Sequence, residues 1–161
     1  MATEFSSFAQ MPTDKYVNCR VDEILLSTIH LFEQSENLDF IYEKNLEPVT
    51  IYADPEQIRR VFTNIIKNAI QSIKPETEGK VKITYETNNS EVLISVTDNG
   101  VGIDEDLKSK IFVPSFSTKN SGMGLGLAIS KKIIEKSNGK IWFTSAINEG
   151  STFFVSFKIV K

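Results

Sequence analysis

Asp98-Asn99-Gly100-Val101-Gly102-Ile103 opens, and Gly122-Met123-Gly124-Leu125-Gly126-Leu127-Ala128-Ile129 closes, the stretch around which the rest of the chain is arranged. Five of the chain's eight glycines lie between Asp98 and Ile129, clustered at the two ends of that window. There a backbone can approach a ligand closely or adopt positive φ. The residues after Gly122 read as a helix start, whose free amides and positive dipole end suit an anion, so the second cluster points to a phosphate site. Glycine clusters also serve turns and caps. What raises this one is its pairing with Asp98 and with an asparagine-bearing helix upstream.

Working outward, Lys80 to Asn88 and Glu91 to Thr97 read as a hairpin, with Val81, Ile83 and Tyr85 alternating, then Val92, Ile94 and Val96, around Asn88-Asn89-Ser90. Continuing the period of two puts Asp98 on the buried side of the sheet. A carboxylate there requires a hydrogen-bond donor from the protein or from a ligand. An amine-bearing heterocycle would serve.

The upstream helix is the best-defined element. Asp54-Pro55-Glu56-Gln57 supplies an N-cap, a proline at the first helical position and a glutamine three residues after the cap. Ile58, Val61, Phe62, Ile65, Ile66, Ala69, Ile70 and Ile73 follow at helical spacing until Pro75. Gln57, Asn64, Asn68 and Gln71 share a stripe along one edge of that apolar face, while Arg59, Thr63, Lys67 and Lys74 lie opposite. Two asparagines one turn apart in a helix need a reason. Half-exposed asparagines bonded to water are one, and a ligand is the other.

The remaining elements follow the same rules. Val21 to Gln34 reads as a helix carrying His30, and Asp39 to Tyr42 and Val49 to Tyr52 as short strands around a turn. Residues 1–20 are expected to be the remnant of a preceding helix and a linker, and residues 21–161 one domain. Asp104 to Ile111 forms a short helix. Ser117-Thr118-Lys119-Asn120-Ser121 is a candidate lid, with Lys119 placed to carry charge to a phosphate. The helix from Met123 to Lys136 ends at a glycine C-cap, and strands Lys140 to Ala146 and Ser151 to Val160 complete the chain. The pattern implies an α/β sandwich: a mixed, largely antiparallel sheet of about five strands with three main helices on one face.

The chain has 161 residues, of which 40% are apolar and 24% charged, with a net charge of −3. Those values suit a single globular domain and leave no basic footprint, so no nucleic-acid partner is expected. The single cysteine, Cys19, excludes an internal disulfide. No apolar run approaches the roughly 20 residues of a membrane span, so a cytoplasmic location is expected.

Asn64-x-x-x-Asn68-Ala69, Asp98-Asn99-Gly100-Val101-Gly102-Ile103, Phe112-Val113-Pro114-Ser115-Phe116, Gly122-Met123-Gly124-Leu125-Gly126-Leu127 and Gly150-Ser151-Thr152-Phe153 occur in that order. They resemble the N, G1, F, G2 and terminal G boxes of the catalytic ATP-binding domain of sensor histidine kinases, over residues 20 to 160. The segment from Glu4 to Pro12 is similar to the one preceding this domain in nitrogen-regulation type kinases.

The resemblance implies a Bergerat-type fold and a set of roles. Asp98 would accept the adenine amino proton, with Gly100 and Gly102 letting the backbone pass under the base, and Thr152 would support that end of the pocket. Ile103 and Phe112 would line it. Asn68 would present its amide oxygen to Mg²⁺, and Asn64 would bond phosphate or water. The amides around Gly122, Gly124, Leu125, Gly126 and Leu127 would hold phosphate oxygens, with Lys119 and either Ser117 or Thr118 closing from the lid. Gln71 stands where many relatives carry a phosphate-reaching lysine, a departure that Lys119 or Lys67 would have to offset.

Hydrolytic cousins carry a glutamate general base where this chain has Asn64, so the resemblance implies phosphoryl transfer to a protein histidine, with Asn64 and Lys119 the catalytic pair. His30 lacks the acidic, basic and proline neighbours of the family's phosphorylated histidine and reads as an ordinary helix residue. The acceptor would therefore sit on a separate dimerisation domain of the same kinase. A response regulator receiver domain would take the phosphoryl group afterwards. The isolated chain is expected to be monomeric and the full-length kinase a homodimer, its membrane anchorage left open. The alternative is a degenerate nucleotide-sensing module without kinase activity.

Overall fold

The computed structural model describes residues 14–35, 37–114 and 123–161. In chain order the elements are β1 (Val17–Arg20), α1 (Val21–Phe32), β2 (Leu38–Tyr42), β3 (Thr50–Ala53), α2 (Pro55–Gln71), β4 (Gly79–Thr87), β5 (Glu91–Asp98), a 3-10 turn (Glu105–Lys110), α3 (Met123–Lys136), β6 (Lys140–Ala146) and β7 (Gly150–Lys158). No described helix is long and apolar enough to cross a membrane.

Five strands form the main sheet in the order β2-β4-β5-β7-β6, parallel only between β2 and β4. The expected mixed sheet is there, and the helices cover one of its faces. Val81, Ile83, Val92, Ile94, Val96, Phe153, Val155 and Phe157 alternate inward and are buried against α2 and α3. From α2 they meet Ile58, Val61, Phe62, Ile65, Ile66 and Ala69, all buried, the stripe its spacing anticipates. Fully burying a side chain such as Phe62 contributes about 2 to 3 kcal/mol, so this layer holds the domain together. The other face of the sheet carries no helix among the described residues. On it Trp142 of β6 stacks on Phe154 of β7 at 5.3 Å between ring centroids and stays 40% exposed.

Three local outcomes differ from expectation. Val17–Arg20, read as linker, is a strand that pairs antiparallel with β3 to make a separate two-stranded sheet, so β3 does not pair with β2. Along it the first two residues are exposed and the last two half-buried, so its burial follows no period of two. At the start of α2, Asp54 Oδ1 accepts from the Glu56 and Gln57 amides at 3.0 and 3.4 Å. The Gln57 oxygen is buried without a partner among the described residues, so the return arm of the capping box is not made. At the end of α3 it is Asn138, with φ 59°, that takes the left-handed position, while Gly139 donates its amide to Ile134 O at 2.9 Å. A Cβ on Gly139 would come within 2.5 Å of Ser156 O, so that glycine answers to packing.

Candidate nucleotide site

Asp98 ends β5 opposite Ser151 of β7 and Val81 of β4, and it is 4% exposed, on the buried side that its parity indicates. Its Oδ1 accepts the Gly100 amide at 2.8 Å and the Ser151 amide at 3.3 Å. Asn99 pins the same turn to the start of β4, accepting from the Lys80 amide at 2.8 Å and donating to Glu78 O at 3.0 Å. The buried carboxylate is thus solvated by the protein's own amides.

Glycine is required around Asp98 for a reason the sequence did not disclose. A Cβ on Gly100 would lie 2.6 Å from the Ser72 carbonyl oxygen, and the neighbouring Val101 amide donates to that oxygen at 3.0 Å. Gly102 has φ +77°, and its Cβ would lie 2.1 Å from Ala146 O. Gly150 has φ +106°, and its Cβ would lie 2.0 Å from Asp98 O itself. Three chain segments therefore meet main chain to main chain: the Asp98 turn, the end of α2 and the β6–β7 connection. The Asn148 amide donating to Val101 O at 2.8 Å closes the joint.

Ser145 is a further member of this joint that the motif spacing did not single out. Its hydroxyl accepts from the Ile103 amide at 2.8 Å and contacts the Ser151 hydroxyl at 2.8 Å, while its carbonyl accepts from Lys108 Nζ at 2.7 Å. Thr152 needs correcting. The odd positions Phe153, Val155 and Phe157 face the helices, so Thr152 faces away and pairs its hydroxyl with Thr97 at 2.9 Å on the helix-free side. Ser151 is the residue beside Asp98. The period of two along β7 already carried that signal.

Phe112 packs edge-on to Phe143 and Phe153, at 5.9 and 6.5 Å between centroids, with Lys131 Nζ 5.3 Å from its ring centre. Ile103 is partly buried and packs against the core.

On α2, Asn64 and Asn68 are half-buried and Gln71 is exposed. Asn68 lies one turn before Ser72, the residue that the Asp98 turn touches, so both sit at the same end of the molecule. Asn64 Nδ2 donates across to α3, to Gly126 O at 3.2 Å and Ser130 Oγ at 3.3 Å. The Asn68 side chain makes no hydrogen bond with the described residues. The Leu127 side chain is buried in the core, so the group it can offer a ligand is the backbone amide. Gly124 and Leu125 fall in the first turn of α3, and their side positions lie outside the described set. Thr118, Lys119 and Gly122 lie outside the described residues.

Elsewhere, Arg20 clasps the buried Asp22 at 2.9 and 2.7 Å, and the Val49 amide adds a third bond at 3.0 Å. Burial alone would raise the Asp22 carboxyl, yet these donors hold it below the usual carboxylate range. Burial pushes the Cys19 thiol up, which makes it a poor nucleophile. His30 is exposed, with Nε2 at 3.9 Å from Glu33 Oε1.

A family model described as histidine kinase-, DNA gyrase B- and HSP90-like ATPase matches residues 53–161. The signal transduction histidine-protein kinase AtoS of Escherichia coli is 41% identical over 138 residues, covering 85% of this chain and 22% of AtoS. Sporulation kinase E of Bacillus subtilis is 34% identical, covering 98% of this chain and 22% of that protein. The chain thus spans about a fifth of the length of these relatives. Among solved structures, the nucleotide-free catalytic domain of histidine kinase ThkA superposes with a TM-score of 0.78 at 37% identity, covering 89% of this chain and 95% of that one. ThkA in complex with the response regulator TrrA gives 0.79 at 31% identity, covering 99% and 47%.

Proposed function

The chain belongs to the histidine kinase-, DNA gyrase B- and HSP90-like ATPase family, as a sensor histidine kinase ATP-binding catalytic domain, and from that premise we propose how its residues work. Asp98, oriented by the Gly100 and Ser151 amides, accepts the adenine amino proton. Ile103 and Phe112 wall the base. The triphosphate runs from there between α2 and the first turn of α3, whose amides lack intrahelical partners and whose positive dipole end attracts it. Lys119 supplies charge from the segment before α3, with Thr118 beside it. Exposed Gln71 adds none.

The side chains fit a hard divalent cation, because Asn64 and Asn68 offer amide oxygens one helical turn apart and no soft ligand intervenes. Asn68, uncommitted to the described residues, would hold Mg²⁺. Bound there, the ion would supply charge neutralisation at the phosphates. The γ-phosphoryl group then passes to a histidine on a separate dimerisation and phosphoacceptor domain, and from it to a response regulator receiver domain.

The observation that carries transfer over hydrolysis is Asn64. It stands where hydrolytic members of the family carry a basic glutamate, and an amide takes no proton from water. Catalysis then rests on positioning and electrostatics. The test is to mix this chain with labelled ATP and a histidine-bearing dimerisation domain. Acid-labile, base-stable label on that domain is expected. Steady release of free phosphate with no labelled domain would overturn the proposal.

A further inference from the structure

The Asn64 side chain contains information about which of its atoms can meet a ligand. Its nitrogen faces the Gly126 carbonyl at 3.2 Å and the Ser130 hydroxyl at 3.3 Å. A carbonyl oxygen only accepts, so the atom turned toward Gly126 has to be the nitrogen, and the amide has one orientation. With two protons and two acceptors, the nitrogen is saturated. The oxygen has no partner among the described residues, and the residue as a whole is half-buried, not enclosed.

Ser130 itself is 0% exposed. A fully buried serine carries a desolvation penalty that alanine would not, and here its hydroxyl meets Asn64. Gly126 fits beside it: a Cβ there would stand 3.6 Å or more from the Asn64 amide, ordinary contact distance, so α3 approaches Asn64 without strain.

We propose that Ser130 is a positioning residue for phosphoryl transfer. Together with the Gly126 carbonyl it takes both amide protons of Asn64, and so turns Asn64 Oδ1, never an N–H, toward the phosphate and metal end of the site. The inference rests on the nucleotide reading above and sharpens it. A lone pair repels phosphate oxygens, so Asn64 serves as an acceptor, toward a divalent cation or a proton of a bound water. It is not a phosphate donor. Without Ser130 one amide proton loses its partner, and the carboxamide can rotate and present an N–H to the site.

The test compares wild type, Ser130→Ala and Ser130→Cys in the full chain. It measures affinity for a non-hydrolysable ATP analogue in EDTA and across a magnesium titration, with thermal melts as the check on folding. Ser130→Ala is expected to leave the EDTA affinity unchanged and to cut the gain on adding magnesium about tenfold, as loss of a residue orienting a metal ligand does. Ser130→Cys, whose thiol is a weak acceptor, should shift the same way and carries the comparison if the alanine variant fails to fold. Nuclear magnetic resonance of the Asn64 amide protons should show faster solvent exchange in both variants, a change that mere loss of packing would not confine to this group. Superimposed magnesium titrations, or an equal loss with and without magnesium, would overturn the proposal. If wild type itself shows no affinity for the analogue, the nucleotide reading falls and this inference with it, an outcome distinct from the first two.

Discussion

At the Asp98 end of the site, main chain packs on main chain, with Gly100, Gly102 and Gly150 each filling a place that admits no Cβ. At the other end, where α2 faces α3, a side-chain amide bridges the helices and the neighbouring Asn68 side chain hydrogen-bonds no described residue. The first end is a shape fixed by backbone and insensitive to rotamers. The second is set by side-chain carboxamides, Asn64 held by two acceptors on α3 and Asn68 by none among the described residues. Changes at the first should therefore register in stability as well as binding, and changes at the second chiefly in binding.

Gly150→Ala should break the first end most. It combines a positive φ with a Cβ 2.0 Å from Asp98 O, and overpacking plus backbone strain should lower stability by about 3 kcal/mol. For a domain of this size that is a fall of roughly 6 to 12 °C in midpoint, read by a thermal melt. A midpoint equal to wild type would dissolve the contrast.

A control remote from both ends comes next. Asp22→Ala strands the buried Val49 amide and releases Arg20, costing about 2 kcal/mol with nucleotide affinity unchanged. Because the folded carboxyl of Asp22 is held low, its contribution is present above the unfolded value near about 4 and is lost as the pH falls through the folded one. Asp22→Asn should therefore flatten the acid side of the stability profile below about pH 4, measured by denaturant melts across pH.

Asp98→Asn should weaken adenine-nucleotide binding by at least about 1 kcal/mol, since charge-assisted hydrogen bonds contribute roughly 1.5 to 3. Unchanged affinity by calorimetry would remove the carboxylate from the recognition scheme. Asn68→Ala should erase much of the magnesium-dependent gain in affinity while the melt stays within about 0.5 kcal/mol of wild type. Superimposed magnesium titrations would relieve Asn68 of its role.

Gly126→Ala gives the smallest and most discriminating effect. Among the described residues its Cβ meets only ordinary contacts, so the helix should gain about 0.5 to 1 kcal/mol from the better helix former. Nucleotide affinity should fall if backbone must approach phosphate there. A gain in both would make the last glycine of the cluster a bystander.

The sheet and its helices were legible because long stretches kept one period. Val92, Ile94, Val96 and Asp98 share a face by parity alone, and the stripe on α2 follows from spacing. Thr152 was misread where the same parity along β7 would have chosen Ser151, so that error lay in the reading and not in the signal. The glycines were different. Ser72 and Ala146, which exclude a Cβ at Gly100 and Gly102, are distant in the chain, and no local pattern states that two backbones will touch. β1 was hidden because its partner lies 30 residues or more away and neither of its faces is buried throughout.

The stacked Trp142 and Phe154 stand on the helix-free face, and Trp142 is the chain's one tryptophan. Its intrinsic emission is consequently an optical gauge pointed away from the nucleotide. Titrating ATP should leave the spectrum nearly still, while unfolding, or another surface settling onto that face, should move it.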